Sequence, residues 1–186
     1  AEAHDSAIRN NTELRKYFRA IEQGGNVVVI TDVNGNIEYA NPKFEEGSGY
    51  ALEEVLGKNP RILKSGRHEP EFYRELWETI SSGQIWRGVF NNKKKDGTLY
   101  WESTTIAPVL DENNKVTNYV AIKEDVTEQR KTEEQLRKLS QAVEQSGNTV
   151  MILDNKGMIE YVNSKFTEVS GYSFAEVLGR SPTLLS

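Results

Sequence analysis

Cysteine is missing altogether from the 186 residues, which excludes disulfides, thiolate nucleophiles and most structural zinc sites. Histidine occurs twice, at His4 and His68, and no His/Cys/carboxylate spacing suggests a metal centre. No run approaches the ~18 apolar residues of a membrane span, and the N-terminus lacks the pattern of a signal peptide. Positive charge is not in excess. The 23 Lys and Arg stand against 28 Asp and Glu, a net charge of −5, so neither nucleic acid nor an anionic lipid surface is favoured as a partner. The one basic run, Lys93-Lys94-Lys95, is followed by Asp96-Gly97 and reads as a solvated hairpin turn. No nucleophile–base pair, P-loop or metal triad is visible, so no enzyme activity is expected of this stretch. What remains is 27% charged and 37% hydrophobic residues, the composition of an ordinary globular chain, expected in the cytoplasm.

An internal repeat decides the organisation. Residues 20–64 align without a gap on residues 142–186 at an offset of 122, and 25 of the 45 pairs are identical. Ile37-Glu38-Tyr39 answers Ile159-Glu160-Tyr161, and Glu54-Val55-Leu56-Gly57 answers Glu176-Val177-Leu178-Gly179. A period of this size is that of a tandem domain and not of a solenoid. Everything matching residues 65–124 is missing from the second copy, so it is expected to leave an open apolar face, to be mobile or to pack on another chain. The expected partition is an N-terminal amphipathic helix over 1–24, a full domain over 25–124, a linker helix over 125–141 and a partial second domain over 142–186.

Within the first copy, Leu14, Tyr17, Phe18 and Ile21 fall at helical spacing before Gly24-Gly25. Val27 to Thr31 reads as a strand, Asp32-Val33-Asn34-Gly35 as a tight turn and Asn36 to Ala40 as the returning strand. Short helices follow around Pro42–Glu46 and Leu52–Leu56, then a helix from Pro70 to Ile80 with Phe72, Leu76 and Ile80 on one face. Strands are predicted over Ile85–Asn92, Leu99–Leu110 and Thr117–Lys123. The order β-β-α-α-α-β-β-β is an α+β arrangement, and a sheet with helices over one face is a natural place for a small-molecule pocket. From Glu128 to Glu144 the chain is rich in charge, with Leu136, Leu139 and Val143 on one seam. Two chains could pair along that seam; the alternative is a single solvated helix resting on its own domain.

Taken in order, Asp32-x-x-Gly35, Tyr39-x-Asn41-x-x-Phe44, Gly49-Tyr50, Gly57-Lys58-Asn59 and the closing Asp125-Val126-Thr127-Glu128 resemble a PAS domain. The resemblance implies a five-stranded antiparallel sheet and a role as ligand-binding or dimer-interface module. It further implies homodimers through the N-terminal and linker helices, and control of an output domain such as a histidine kinase. Signal relay would then pass through Asp125, Thr127, Leu136 and Leu139. Asn59-Pro60-Arg61-Ile62-Leu63, Phe72-Tyr73-x-x-Leu76-Trp77, Ile85-Trp86-x-Gly88 and Asn91-Asn92-Lys93-Lys94-Lys95-Asp96-Gly97 are similar to the flavin-binding PAS domains of NifL-type and Aer-type redox sensors.

That resemblance implies FAD as cofactor; the alternative is no ligand. Gly57-Lys58-Asn59-x-Arg61-x-Leu63 also resembles photoreceptors of the LOV type, but adduct photochemistry needs a cysteine after Asn59, where Pro60 stands. Haem needs an axial imidazole, and His68 lies in a loop where a lone histidine is expected to be solvated. Strand alternation puts Trp86, Gly88, Phe90 and Asn92 on one face, where Gly88 would admit a ligand close to the backbone. Asn92 and Trp77 match a ring-contacting amide and a pocket tryptophan of NifL-type domains, whereas Pro60 replaces a carboxylate there. Arg61 and Lys64, beside Asn59, could hold phosphates. Each has a duller reading: Trp77 and Trp86 as core, Asn92 as a residue that caps or pairs within the following hairpin, Arg61 and Lys64 as solvated cations. With Ser181 and Thr183 in place of Asn59 and Arg61, the second copy is not expected to bind flavin in the same way.

Overall fold

A computed structural model describes residues 13–185; the first half of the expected N-terminal helix, with His4, lies outside them. Contacts divide the chain into two compact units after Thr127.

The first unit opens with a helix over residues 13–22 (α1). The β-branched run Val27–Asp32 forms β1 and Ile37–Ala40 forms β2. Asp32 makes the turn between them, its Oδ1 accepting from Asn34 N at 2.9 Å and Asn36 N at 2.8 Å, with Gly35 in the left-handed region at φ 79°. Helices α2 (Pro42–Ser48) and α3 (Leu52–Val55) and a 3₁₀ turn over Pro60–Leu63 cross to α4 (Pro70–Ser81). Strands β3 (Trp86–Lys93), β4 (Leu99–Leu110) and β5 (Val116–Asp125) close the unit. The sheet is antiparallel in the order β2-β1-β5-β4-β3.

Alternation sends Val29 and Thr31, Tyr119, Ala121 and Lys123, Tyr100, Glu102 and Thr104, and Trp86, Phe90 and Asn92 to the buried face. Two clusters cover that face. One joins Val29, Ile37, Phe44, Val55, Leu63 and Ala121, and the other joins Leu76, Ile80, Trp86, Phe90 and Tyr119. Burial of such side chains contributes about 1.5–3 kcal/mol each, so the clusters fix the helices on the sheet. Between the clusters lies a cavity.

The second unit carries most of α5 (Thr127–Glu144), then β6 (Met151–Leu153), β7 (Ile159–Val162), α6 (Ser164–Ser170), α7 (Phe174–Val177) and a 3₁₀ turn over Pro182–Leu185. Ile159, Val162, Phe166 and Val177 form its core. Ile152 and Leu153 stay exposed on the two-stranded sheet. Its α5 has no buried residue, and Leu136 and Leu139 are exposed.

One device occurs in both units. Asn41 Oδ1 accepts from Val28 N at 2.9 Å, while its Nδ2 donates to the carbonyls of Ile21 and Asn26, each at 3.0 Å. At the offset of 122, Asn163 Oδ1 accepts from Val150 N at 2.9 Å, and its Nδ2 donates to Val143 O at 3.0 Å and Asn148 O at 2.9 Å. Tyr39 donates to Glu22 and Tyr161 to Glu144 in the same way. The last turn of α5 is therefore held by the second hairpin as α1 is held by the first. The correspondence extends into the helices, where Leu136 and Leu139 stand at the positions of Leu14 and Tyr17.

Candidate functional site

The cavity holds about 280 Å³ and is walled by residues of both core clusters. That is near the lower end of small-molecule sites, ~300–1,000 Å³, room for a fused ring system but not for a whole dinucleotide. Leu76, Ile80, Phe90, Ile106 and Tyr119 make it apolar. Of the residues singled out in the sequence, Asn59, Arg61, Lys64, Trp77 and Asn92 line it.

Trp86 and Gly88 do not. A Cβ on Gly88 would stand 2.3 Å from the Trp86 indole, so the opening expected there is filled by the tryptophan two residues before it. Trp86 is core, packed edge-on against Phe72 at 5.4 Å. Trp77 is more than a third exposed and closes over Gly35, whose added Cβ would lie 2.8 Å from its ring. Asn59 caps the 3₁₀ turn by accepting from Arg61 N at 3.1 Å. Lys64 lies over the Tyr73 ring, 3.4 Å from its centroid, and burial together with the charge of Arg61 lowers its pKa.

At the polar end of the cavity the sequence pointed to Asn92 but not to Glu102 and Lys123. Asn92 pairs within the β3–β4 hairpin, as its duller reading allowed: its Nδ2 donates across the strands to Glu102 Oε2 at 3.0 Å. The same oxygen accepts from Lys123 Nζ at 2.8 Å. Glu102 is 4% exposed and Lys123 6%, a fully buried ion pair. Lys123 and Asn92 face the cavity, and Glu102 stands behind them holding both. Beside the pair, Thr104, opposite Lys123 in the β4–β5 register, has a buried hydroxyl with no hydrogen-bond partner. The Tyr73 hydroxyl in the cavity wall is likewise buried and unpartnered, and burial raises its pKa. Strand parity was the available signal: Lys123 follows Tyr119 and Ala121 on the buried face, as Glu102 follows Tyr100.

His68 corrects the expectation of a solvated loop histidine. It is half-buried, its ring stacks on Phe72 at 4.0 Å, and its Nε2 accepts from Asn91 N at 2.7 Å. Burial lowers its pKa, in keeping with a nitrogen that must stay unprotonated to accept. It pins the 64–69 loop to β3, together with Ser65, which donates to Asn91 O at 2.6 Å. The basic run is tied down as well: Lys95 N donates to Ser48 O, and Lys95 Nζ pairs with Glu54 at 2.7 Å.

At the exit of the sheet, Trp101 O accepts from Val126 N at 2.9 Å and Trp101 N donates to Thr127 Oγ1 at 2.8 Å. Asp125 Oδ1 accepts from Thr127 N at 2.9 Å and so caps the start of α5. Among the described residues no helix is long and apolar enough to cross a membrane, and no acidic, histidine or cysteine cluster could hold a metal.

The PAS domain family matches residues 25–128, and a second PAS match covers residues 137–185. The chain belongs to the PAS domain family. The Nitrogen fixation regulatory protein of Klebsiella oxytoca is 37% identical over 121 residues, 65% of this chain and 24% of that protein. Oxygen sensor protein DosP of Escherichia coli is 30% identical over 179 residues, 91% of this chain and 21% of DosP. Hybrid signal transduction histidine kinase L of Dictyostelium discoideum is 33% identical over 120 residues, 64% of this chain and 7% of that kinase. This PAS chain thus spans a quarter or less of the length of these relatives. An RNA-binding light-oxygen-voltage receptor superposes with a TM-score of 0.61 at 30% identity, covering 67% of this chain and 36% of the receptor. A light-oxygen-voltage domain studied with a flavin analogue gives 0.56 at 27% identity, covering 68% and 96%. The five-stranded antiparallel sheet with helices over one face is the PAS fold.

Proposed function

We propose that this chain is the sensory part of a cytoplasmic signal-transduction protein whose first PAS domain binds a flavin, FAD foremost, and reports its redox state through the linker helix. The observation that carries the reading is an apolar cavity closed at one end by the buried cluster of Asn92, Glu102 and Lys123, with Arg61 and Lys64 in its wall. A buried lysine and amide at the end of an apolar slot suit a flat heterocycle with polar atoms on one edge. Lys123 and Asn92 would hold that edge, and Leu76, Trp77 and Phe90 would flank the ring. Arg61 and Lys64 would meet the phosphates, which at 280 Å³ must extend out of the cavity. A bound flavin supplies reversible uptake of electrons and a proton. The protein's part is to hold the ring dry and to respond at Asn92 and Lys123. The names of the relatives, a nitrogen fixation regulator, an oxygen sensor and a hybrid histidine kinase, accord with such a sensor feeding a kinase-type output. Any catalysis would reside in a further domain.

Absorption spectroscopy of the purified chain tests this. Flavin bands are expected, either as isolated or after incubation with FAD, and Asn92→Ala should weaken retention at least about tenfold. A colourless protein that takes up neither FAD nor FMN overturns the reading.

A second reading rests on Leu14, Tyr17 and Phe18 of α1 and Leu136 and Leu139 of α5, all exposed. Apolar residues at matching positions of both helices suit a ligand-free module that sets dimer geometry. It calls for a colourless dimer, disrupted by a charge at Leu14 or Phe18 and indifferent to Asn92→Ala.

A further inference from the structure

The cavity floor and the start of α5 are joined by a short run of contacts. Glu102 binds both cavity-facing donors through one oxygen, Lys123 at 2.8 Å and Asn92 at 3.0 Å. The next residue, Trp101, uses both of its main-chain groups on the exit segment, its carbonyl on Val126 and its N–H on Thr127. Glu102 and Asp125, the residue that caps α5, are direct partners in the β4–β5 register. A displacement of Glu102 therefore reaches the α5 cap through one peptide unit.

We propose that the Glu102–Lys123 pair is the element by which occupancy of the cavity is passed to α5. A ligand edge carrying a carbonyl or an anionic oxygen or nitrogen competes for Lys123 and draws it off Glu102. The carboxylate, 4% exposed, is then left in an apolar setting without its cation. It relaxes by shifting β4 at 101–102, and the two Trp101 hydrogen bonds that hold Val126 and Thr127 loosen with it. Thr104, opposite Lys123 in the register, has a buried hydroxyl without a partner, so a polar group stands unsatisfied beside the pair. Glu102 acts here as a positioning residue, since it stands behind the donors and not in the cavity wall. The inference rests on the cavity being a ligand site, yet the coupling can be tested without any ligand.

Amide hydrogen exchange of the whole chain is the experiment. Lys123→Met imitates withdrawal of the lysine, and exchange over residues 125–131 is expected to quicken at least about tenfold, with β1–β2 changing less than about twofold. Lys123→Met combined with Glu102→Gln removes the stranded charge and should restore protection. If Lys123→Met is too unstable to measure, Lys123→Gln keeps a donor but not the charge and should show an intermediate acceleration at the same residues. Unchanged exchange over 125–131, acceleration spread equally over the sheet, or failure of the double variant to restore protection each overturns the proposal. Saturating FMN provides the second arm. If FMN binds and leaves residues 125–131 unaltered, the coupling is wrong. If neither FMN nor FAD binds while the variants behave as expected, the flavin reading fails and the coupling stands.

Discussion

Gly88→Ala separates the two accounts of β3. The added methyl would lie 2.3 and 2.4 Å from two carbons of the Trp86 ring, so the indole has to retreat by about 1 Å. It cannot swing out, because Phe72 lies against it at 5.4 Å and Phe90 at 5.3 Å, and Trp86 is buried. Overpacking of this kind costs about 1–3 kcal/mol. Gly88 is not in the left-handed region, so alanine brings no backbone strain, and stiffening of the unfolded chain returns about 0.4–1 kcal/mol. The net expectation is a loss of about 1–2 kcal/mol, or roughly 5–10 °C in Tm for a unit of ~100 residues. Chemical denaturation followed by tryptophan fluorescence reads it. Trp86→Phe withdraws the atoms that clash, so Gly88→Ala should cost much less in that background, a coupling of about 1 kcal/mol or more. If Gly88→Ala is neutral in stability, additive with Trp86→Phe and yet weakens flavin retention, then a ligand and not Trp86 occupies that space, and this account of the core is refuted.

Other outcomes follow from the same geometry. Lys123→Met alone should cost about 3–5 kcal/mol by denaturation, whereas Lys123→Met with Glu102→Leu should cost far less, since no charge is then buried unpaired. The depressed pKa of His68 means that the unfolded chain takes up a proton before the folded one. Its contribution is thus whole above the ordinary value of 6.5 and is lost as pH falls from there through the lower folded value. A His68→Gln chain titrated in parallel should lack that component. Asn41→Ala strands a half-buried amide and leaves two part-buried carbonyls without its donor, and should cost about 1–3 kcal/mol, seen first as faster exchange at Val28.

Strands, hairpin and α4 were legible because their signals are local: β-branched runs, Asp-x-x-Gly turns, a proline at N1 and one apolar stripe. Leu99–Leu110 was placed to the residue. The cavity wall was legible where a residue sits beside a turn or on a helix face, as with Asn59, Arg61, Lys64 and Trp77. What escaped depends on pairing across the sheet. A glutamate and a lysine 21 positions apart carry no mark of being ion-pair partners. Their burial follows from parity in β4 and β5, but their meeting follows from the register, which no local pattern discloses. Gly88 was misread for a related reason, since the ring that fills its space comes from the same strand and bends back over it. His68 looked idle because its partner is a main-chain N–H 23 residues away.

The paired asparagine latches have a consequence for how such chains are wired. Asn41 and Asn163 take hold of the preceding helix by a main-chain carbonyl, and the side-chain requirement added by Tyr39 and Tyr161 is a single glutamate. The further ring contact of Tyr39 with Phe18, 5.9 Å between centroids, has no counterpart at Ser140 of the second copy and so is not part of the shared latch. The hairpin works as a socket and the helix end as a plug, interchangeable so long as it finishes in an apolar residue followed by glutamate, as Ile21-Glu22 and Val143-Glu144 both do. A splice just after that glutamate would exchange α1 for the last turns of α5, or for another domain's exit helix, leaving the socket intact. Tandem arrays of this fold can be lengthened at that joint with no change to the sheet.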